Sequence, residues 1–263
     1  SATIIHHPDV RRMLMTMRAY TEGCRAMAIV AAAAFDAAHR HPDAEARKQN
    51  QAFYEFMVPL VKGYSTEMSI EVASLGVQVH GGMGFIEETG AAQYLRDARI
   101  LTIYEGTTAI QANDLVGRKT ARDGGGVAKG IARQIVATEA DLADRQSDAA
   151  KSMLKRLRAA REGFEQVVDF IAAQTRSNPN AAFAGSVTYL MLAGNLMAGW
   201  QMARSLIAAE RLIDAGAGDR AFLVAKVATA RFYAEHLLVK AAGLRDEIVE
   251  GADSVMAMAL DSF

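Results

Sequence analysis

Residues 78–113 read QVHGGMGFIEETGAAQYLRDARILTIYEGTTAIQAN, the one part of this chain that generic apolar helix does not explain. The short apolar run from Ile100 to Tyr104 delivers the backbone to an acid, a glycine and two threonines. Thr108 with Gln111 three residues on fits a capping box, in which hydroxyl and amide each satisfy a free backbone N–H at a helix start. Glu105 then stands just outside that helix, at its electropositive end, where a carboxylate is favoured over the neutral acid. Gly106 lets the backbone turn without a side-chain clash. Spacing alone is satisfied by a solvated acid ahead of a cap.

Gly81, Gly82 and Gly84 close the preceding apolar segment and open a loop through Gly90. By themselves they terminate a helix and make turns. They are not a dinucleotide fingerprint, since no strand is predicted ahead of them. A short helix is expected from Ala91 to Ile100. Its Arg96, Asp97 and Arg99 read as an ion-pair network supporting the loop rather than as a catalytic clamp.

Upstream, Pro8 and Asp9 suit the first turn of a long helix reaching about Arg40, with a packing face of Val10, Met13, Leu14, Met17, Tyr20 and Met27. A second long helix is expected from Ala44 to Val79, and Pro59 bends or divides it unless its missing hydrogen bond is absorbed. His6 and His7, like His39 and His41, have no second ligand cluster with them, so they read as polar ends and loops rather than metal ligands.

Downstream, Thr120 to Gly126 (TARDGGG) is the best boundary in the chain, dividing it into residues 1–122 and 123–263. Beyond it, helices are expected near Val127–Arg145, Asp148–Thr175, Asn180–Ala215, Asp219–Ala242 and Leu244–Leu260, forming an antiparallel bundle. The 27 residues between Arg176 and Arg204 carry no charge. Their asparagines, glutamine and many alanines favour a buried bundle helix over a membrane span, with Gly194 and Ala198 permitting close approach. Met191, Met197 and Met202 read as core filling, and a dimer interface could use the same face.

Half of the 263 residues are hydrophobic and only four are proline, which favours an all-α protein with a full core. A net charge of −1 implies no bulk attraction to nucleic acid or anionic membrane. The single cysteine, Cys24, excludes an intrachain disulfide, and with no secretion signal a cytoplasmic location is expected. The chain lacks an initiator methionine and is expected to be a piece of a larger protein.

IYEGT followed by IQ, preceded by QVHGGMGF and YLRDARI, resembles the C-terminal region of acyl-CoA dehydrogenases, flavoenzymes that desaturate acyl thioesters. The likeness is close from about His7 to Lys119. From Gly124 onward the chain is similar in length and helical character to the extra C-terminal segment of the larger members. The resemblance implies an all-α fold with two helical bundles, FAD as cofactor and Glu105 as the base that removes the substrate's α-proton. It further implies that Gln78, Gly81 and Gly82 approach an FAD held largely by another subunit, and that Thr107 lies near the flavin diphosphate. Tyr104 would border the acyl cavity, Gly106 would keep the acid free to move, and Phe85 would wall the glycine loop. His7 would lie near a neighbouring subunit's flavin. Ala109 departs from the pattern, standing where many members carry a cofactor-contacting glutamine.

The implied partners are an acyl-CoA substrate, an electron-transfer flavoprotein as acceptor, and further copies in a homodimer or homotetramer. An acyl-CoA oxidase shares the architecture and the glutamate. A non-catalytic helical module or a nucleic-acid-protective relative is the reading of another class, and the near-neutral charge counts against the nucleic-acid version.

Overall fold

A computed structural model describes residues 2–263. No strand occurs among them. Helix α1 spans Pro8–Arg40 with Pro8 in its first turn. His39 Nδ1 lies 2.8 Å from the Phe35 carbonyl one turn back in α1, and His41 Nδ1 accepts from the Asp43 amide at 3.1 Å in the turn into the next helix. That helix, α2, runs Ala44–Pro59, a π-turn follows over Leu60–Tyr64, and α3 continues Ser65–His80. Pro59 thus neither breaks nor ends the rod: the wider π-turn takes up the local change in hydrogen bonding.

The glycine stretch is more ordered than the expected loop. It forms a one-turn helix α4, Gly82–Phe85, and a 3-10 turn Glu87–Thr89 before α5, Ala91–Leu101. Helix α6 covers Thr108–Asp114 and runs on through a π-turn, Leu115–Thr120, to Gly124 and Gly125. Then come α7, Gly126–Ala143, and α8, Asp148–Ser177, the latter capped by Ser147.

The helix expected over Asn180–Ala215 is two. Asn178 caps α9, Pro179–Ala184, and α10 runs Ser186–Asp214. The break falls at Gly185, where an added Cβ would meet Ile248 Cγ2 at 3.0 Å. Helix α11, Arg220–Phe232, passes through a π-turn, Tyr233–Leu237, to α12, Ala241–Glu250. A four-residue helix α13, Ala252–Val255, follows, so the single terminal helix expected to reach Leu260 stops early, at Gly251.

Helix α10 is the centre. Every residue from Leu192 to Ala203 is buried, and α1, α6, α7, α8, α11 and α12 surround it. No helix among the described residues is long and apolar enough to cross a membrane. Met197 and Met202 fill the core, with Met191 packed against it. The face considered for a dimer is occupied by the chain's own helices. One continuous apolar core joins α1 and α2 to α8, α10 and α12, on both sides of residue 122.

Gly194 packs tightly against the π-turn. A Cβ there would stand 2.2 Å from Tyr64 Cγ and 2.5 Å from two further Tyr64 carbons. The Tyr64 hydroxyl lies 3.2 Å from that of Tyr233, which donates to Asn195 Oδ1 at 2.9 Å, and the Asn195 amide donates to the Leu237 carbonyl at 2.9 Å. Gly194→Ala is therefore expected to destabilise the chain by about 1–3 kcal/mol, read as a lower urea midpoint at unchanged m-value.

Burial raises the phenol pKa of Tyr64, Tyr189 and Tyr233 above the ordinary 10.0. The neutral phenol is favoured in the fold, so the unfolded chain ionises first. This stabilisation is complete below pH 10 and lost as pH rises beyond it. Urea titrations at pH 9, 10 and 11 are expected to show falling stability, with a shallower fall in Tyr189→Phe.

Candidate active-site turn

The geometry begins where α3 stops. Gly81 takes φ 61 and ψ −145, a conformation that excludes side-chain-bearing residues and turns the chain out of the helix. Helix α5 then packs back along α3. Its first turn shares a groove with His80, and the carbonyl of its last residue, Leu101, together with that of Tyr104 beyond it, accepts from Lys62 in the π-turn. Glu87 pairs with Arg96 at 3.4 Å and Asp97 accepts from Gln93, so these charges brace the turn, while Arg99 bonds the Thr102 hydroxyl instead of an acid.

The turn 102–107 links α5 to α6. The Thr108 amide donates back to the Thr102 carbonyl at 3.1 Å, closing it. At its tip Glu105 has φ 53, the one positive φ of a non-glycine residue among those described, and Gly106 follows at φ 92. A left-handed glutamate costs about 1–2 kcal/mol. Its side chain is exposed.

The cap lies one residue earlier than the capping box suggested. Thr107 is extended (φ −63, ψ 167) and its hydroxyl accepts from the Ile110 amide at 3.3 Å. Thr108, already helical, instead donates its hydroxyl proton to Glu67. Glu105 therefore stands two residues outside the cap.

The seven predicted residues fall into two groups. Tyr104, Glu105, Gly106 and Thr107 share the α5–α6 turn. Gln78, Gly81 and Gly82 lie at the other end of α5, whose 11 residues span about 16 Å at 1.5 Å each. Gly81 and Gly82 have no atom within 4 Å of where a Cβ would stand and are exposed, as is Gln78, so their backbone is open to a flat or anionic group. That openness fits a flavin's approach. Phe85 is 82% exposed and lines the edge of an open groove with Val77, Glu88, Ala92 and Leu95.

A mainly apolar groove of about 580 Å³ runs between α1, α3 and α5, past Met17, Cys24, Met68, Val72 and Tyr94. None of Tyr104, Glu105 and Gly106 lines it. Burial pushes the Cys24 thiol up to about 11, so it stays protonated at neutral pH and is no nucleophile.

Two residues escaped sequence reasoning. Lys62 reaches the Leu101 carbonyl, and the Tyr104 carbonyl at 3.2 Å, with its ammonium 4.9 Å from the Tyr104 ring centroid. Glu67 takes the Thr108 hydroxyl. A lysine in an apolar run beside Pro59 was the available signal, but nothing in spacing ties it to residues about 40 positions on.

Residues 1–119 match the family described as "Acyl-CoA dehydrogenase, C-terminal domain", and residues 131–259 match "Acetyl-CoA dehydrogenase C-terminal like". The chain belongs to the acyl-CoA dehydrogenase family. Over 257 residues it is 53% identical to the 3-methylmercaptopropionyl-CoA dehydrogenase of Ruegeria pomeroyi, covering 98% of this chain and 43% of that protein. It is 37% identical to the broad-specificity linear acyl-CoA dehydrogenase FadE5 of Mycobacterium tuberculosis, covering 96% of this chain and 42% of the relative. The chain thus spans less than half the length of these relatives. The crystal structure of an acyl-CoA dehydrogenase complexed with FAD from Bacillus anthracis shares the fold, with TM-score 0.71 at 20% identity over 97% of this chain and 45% of that one.

The strained turn gives a direct test. Glu105→Gly relieves the left-handed backbone whereas Glu105→Ala keeps it, so the glycine variant is expected to be the more stable by about 1 kcal/mol in urea. Thr107→Ala is expected to cost about 1 kcal/mol through the lost cap.

Proposed function

We propose that this chain forms the C-terminal helical part of an FAD-dependent acyl-CoA dehydrogenase, a fragment that acts only with the rest of such an enzyme, and that Glu105 is the base for α,β-desaturation. The observation that carries the reading is Glu105 itself: a carboxylate held at the exposed tip of a turn in a costly backbone conformation, inside the family's IYEGT sequence. Strain of this kind accompanies functional positions.

In this mechanism the Glu105 carboxylate takes the α-proton of the bound thioester and becomes the neutral acid, while the α,β carbon–carbon bond gains double-bond character. The cofactor's part, when bound, is to accept the β-hydride. Gly106, at φ 92, carries no side chain beside the acid. Thr107 fixes the α6 start, and Tyr104 borders the acyl chain. Residues 1–122 carry this machinery; residues 123–263 form the bundle that supports it through the shared core.

Gln78, Gly81 and Gly82 contact the FAD of a second subunit in a homodimer or homotetramer. Their place at the far end of α5 from Thr107 supports two separate flavin contacts. Exposed Met83, Phe85, Ile103, Tyr104 and Ile110 beside both groups offer apolar surface for other parts of such an assembly. An electron-transfer flavoprotein is the proposed acceptor.

In the full-length FAD-loaded enzyme, Glu105→Gln is expected to retain FAD but lose flavin bleaching by acyl-CoA. A panel of 3-methylmercaptopropionyl-CoA and linear acyl-CoAs then assigns the substrate. Bleaching at the wild-type rate in the variant would remove Glu105 as the base.

A further inference from the structure

Both ends of the Glu105 turn are held by side chains of one upstream rod. Lys62, in the π-turn after Pro59, directs its ammonium to the carbonyls of Leu101 and Tyr104 and over the Tyr104 ring. Five residues on, Glu67 in α3 accepts the Thr108 hydroxyl proton. We infer that Lys62 and Glu67 are positioning residues that clamp the 102–107 turn from its two sides and so fix where the Glu105 carboxylate stands. The inference rests on Glu105 being the base.

The Tyr104 carbonyl belongs to the peptide unit whose nitrogen is that of Glu105. Holding that oxygen fixes the peptide plane about which Glu105 φ is defined, and this φ is the unfavourable one, 53°. Leu101 is the last residue of α5, where carbonyls lack helical donors and a cation is favoured. Lys62 supplies both the donors and the charge, and its partners are two carbonyls and a ring rather than a carboxylate. On the other side Thr107 caps α6 and Thr108, next to it, is tied to Glu67, so the chain leaving Gly106 is anchored as well.

The rod itself has little freedom to shift. Next to Lys62, Gly63 is packed so closely that an added Cβ would lie 2.6 Å from Leu190 Cδ2 of α10, and Tyr64 presses on Gly194. Proton transfer needs the carboxylate within hydrogen-bond reach of the α-carbon's proton. A misplacement of about 1 Å, even from a residue remote from the chemistry, lowers rate by about 100-fold.

The test is stopped-flow flavin reduction by saturating acyl-CoA in the full-length FAD-loaded enzyme, comparing wild type, Lys62→Met, Lys62→Arg, Thr108→Val and Glu105→Gln. Met keeps the apolar stem and removes the donors. Lys62→Met is expected to lower the reduction rate constant about 10- to 100-fold, with flavin content and half-saturating substrate concentration nearly unchanged, and Lys62→Arg to recover most of the rate. Thr108→Val is expected to lose several-fold in rate alone. A wild-type rate constant in Lys62→Met, or a loss that follows flavin content and is not rescued by Arg, overturns the clamp. Should Lys62→Met fail to fold, Thr108→Val decides, and a wild-type rate there overturns it. Inactive Glu105→Gln beside a fully active Lys62→Met rejects the clamp and leaves the base assignment standing; an active Glu105→Gln rejects both.

Discussion

The close approach of α10 to the π-turn at Leu60–Tyr64 is the constraint on which the rest of the structure depends. Gly194 and Gly63 are the two missing side chains that allow it, the first against the Tyr64 ring and the second against Leu190. Close packing of this kind admits no intermediate positions, because added atoms have nowhere to go at interior density. Hydrogen bonding reinforces it, since Tyr64, Tyr233 and Asn195 form a buried chain ending on the Leu237 carbonyl. Leu237 closes the last of the three π-turns among the described residues, so the network links two irregular segments through the central helix.

From that junction the candidate site follows by short steps. Pro59 lacks an amide proton, and the helix continues through it as a π-turn. The π-turn carries Lys62, and α5 returns along α3 to bring the carbonyls of Leu101 and Tyr104 within Lys62's reach. Glu105 is then presented at the tip of a turn whose left-handed backbone would otherwise relax. The central bundle thus bears on the candidate turn through this contact and through α6, which packs directly on α10.

Most polar groups in the interior are paired, Ser65 Oγ and Gln201 Nε2 being exceptions. Glu139, 4% exposed, is met by Arg161 at 2.6 Å, and the Trp200 indole donates to Thr138 at 2.8 Å. Such bonds contribute about 1 kcal/mol each net, but leaving one buried partner alone costs more. They therefore act mainly to exclude other arrangements of α7, α8 and α10.

The sequence by itself determined the helical class, most helix boundaries, the close approach at Gly194 and the motif around Glu105. These are local matters: apolar periodicity, glycine and proline punctuation, and residues adjacent along the chain. It placed the α6 cap one residue late, because Thr107 and Thr108 are equivalent by composition and only the nearness of Glu67 decides which hydroxyl turns back to the backbone. It ran one helix through Gly185, because the side chain that crowds this position, Ile248, lies 63 residues away. Tertiary structure alone decided that Lys62 and Glu67 meet the Glu105 turn and that one core crosses residue 122. Each depends on which helix faces pack together, and that choice is made by shape and burial between segments distant in the chain, which no local pattern encodes.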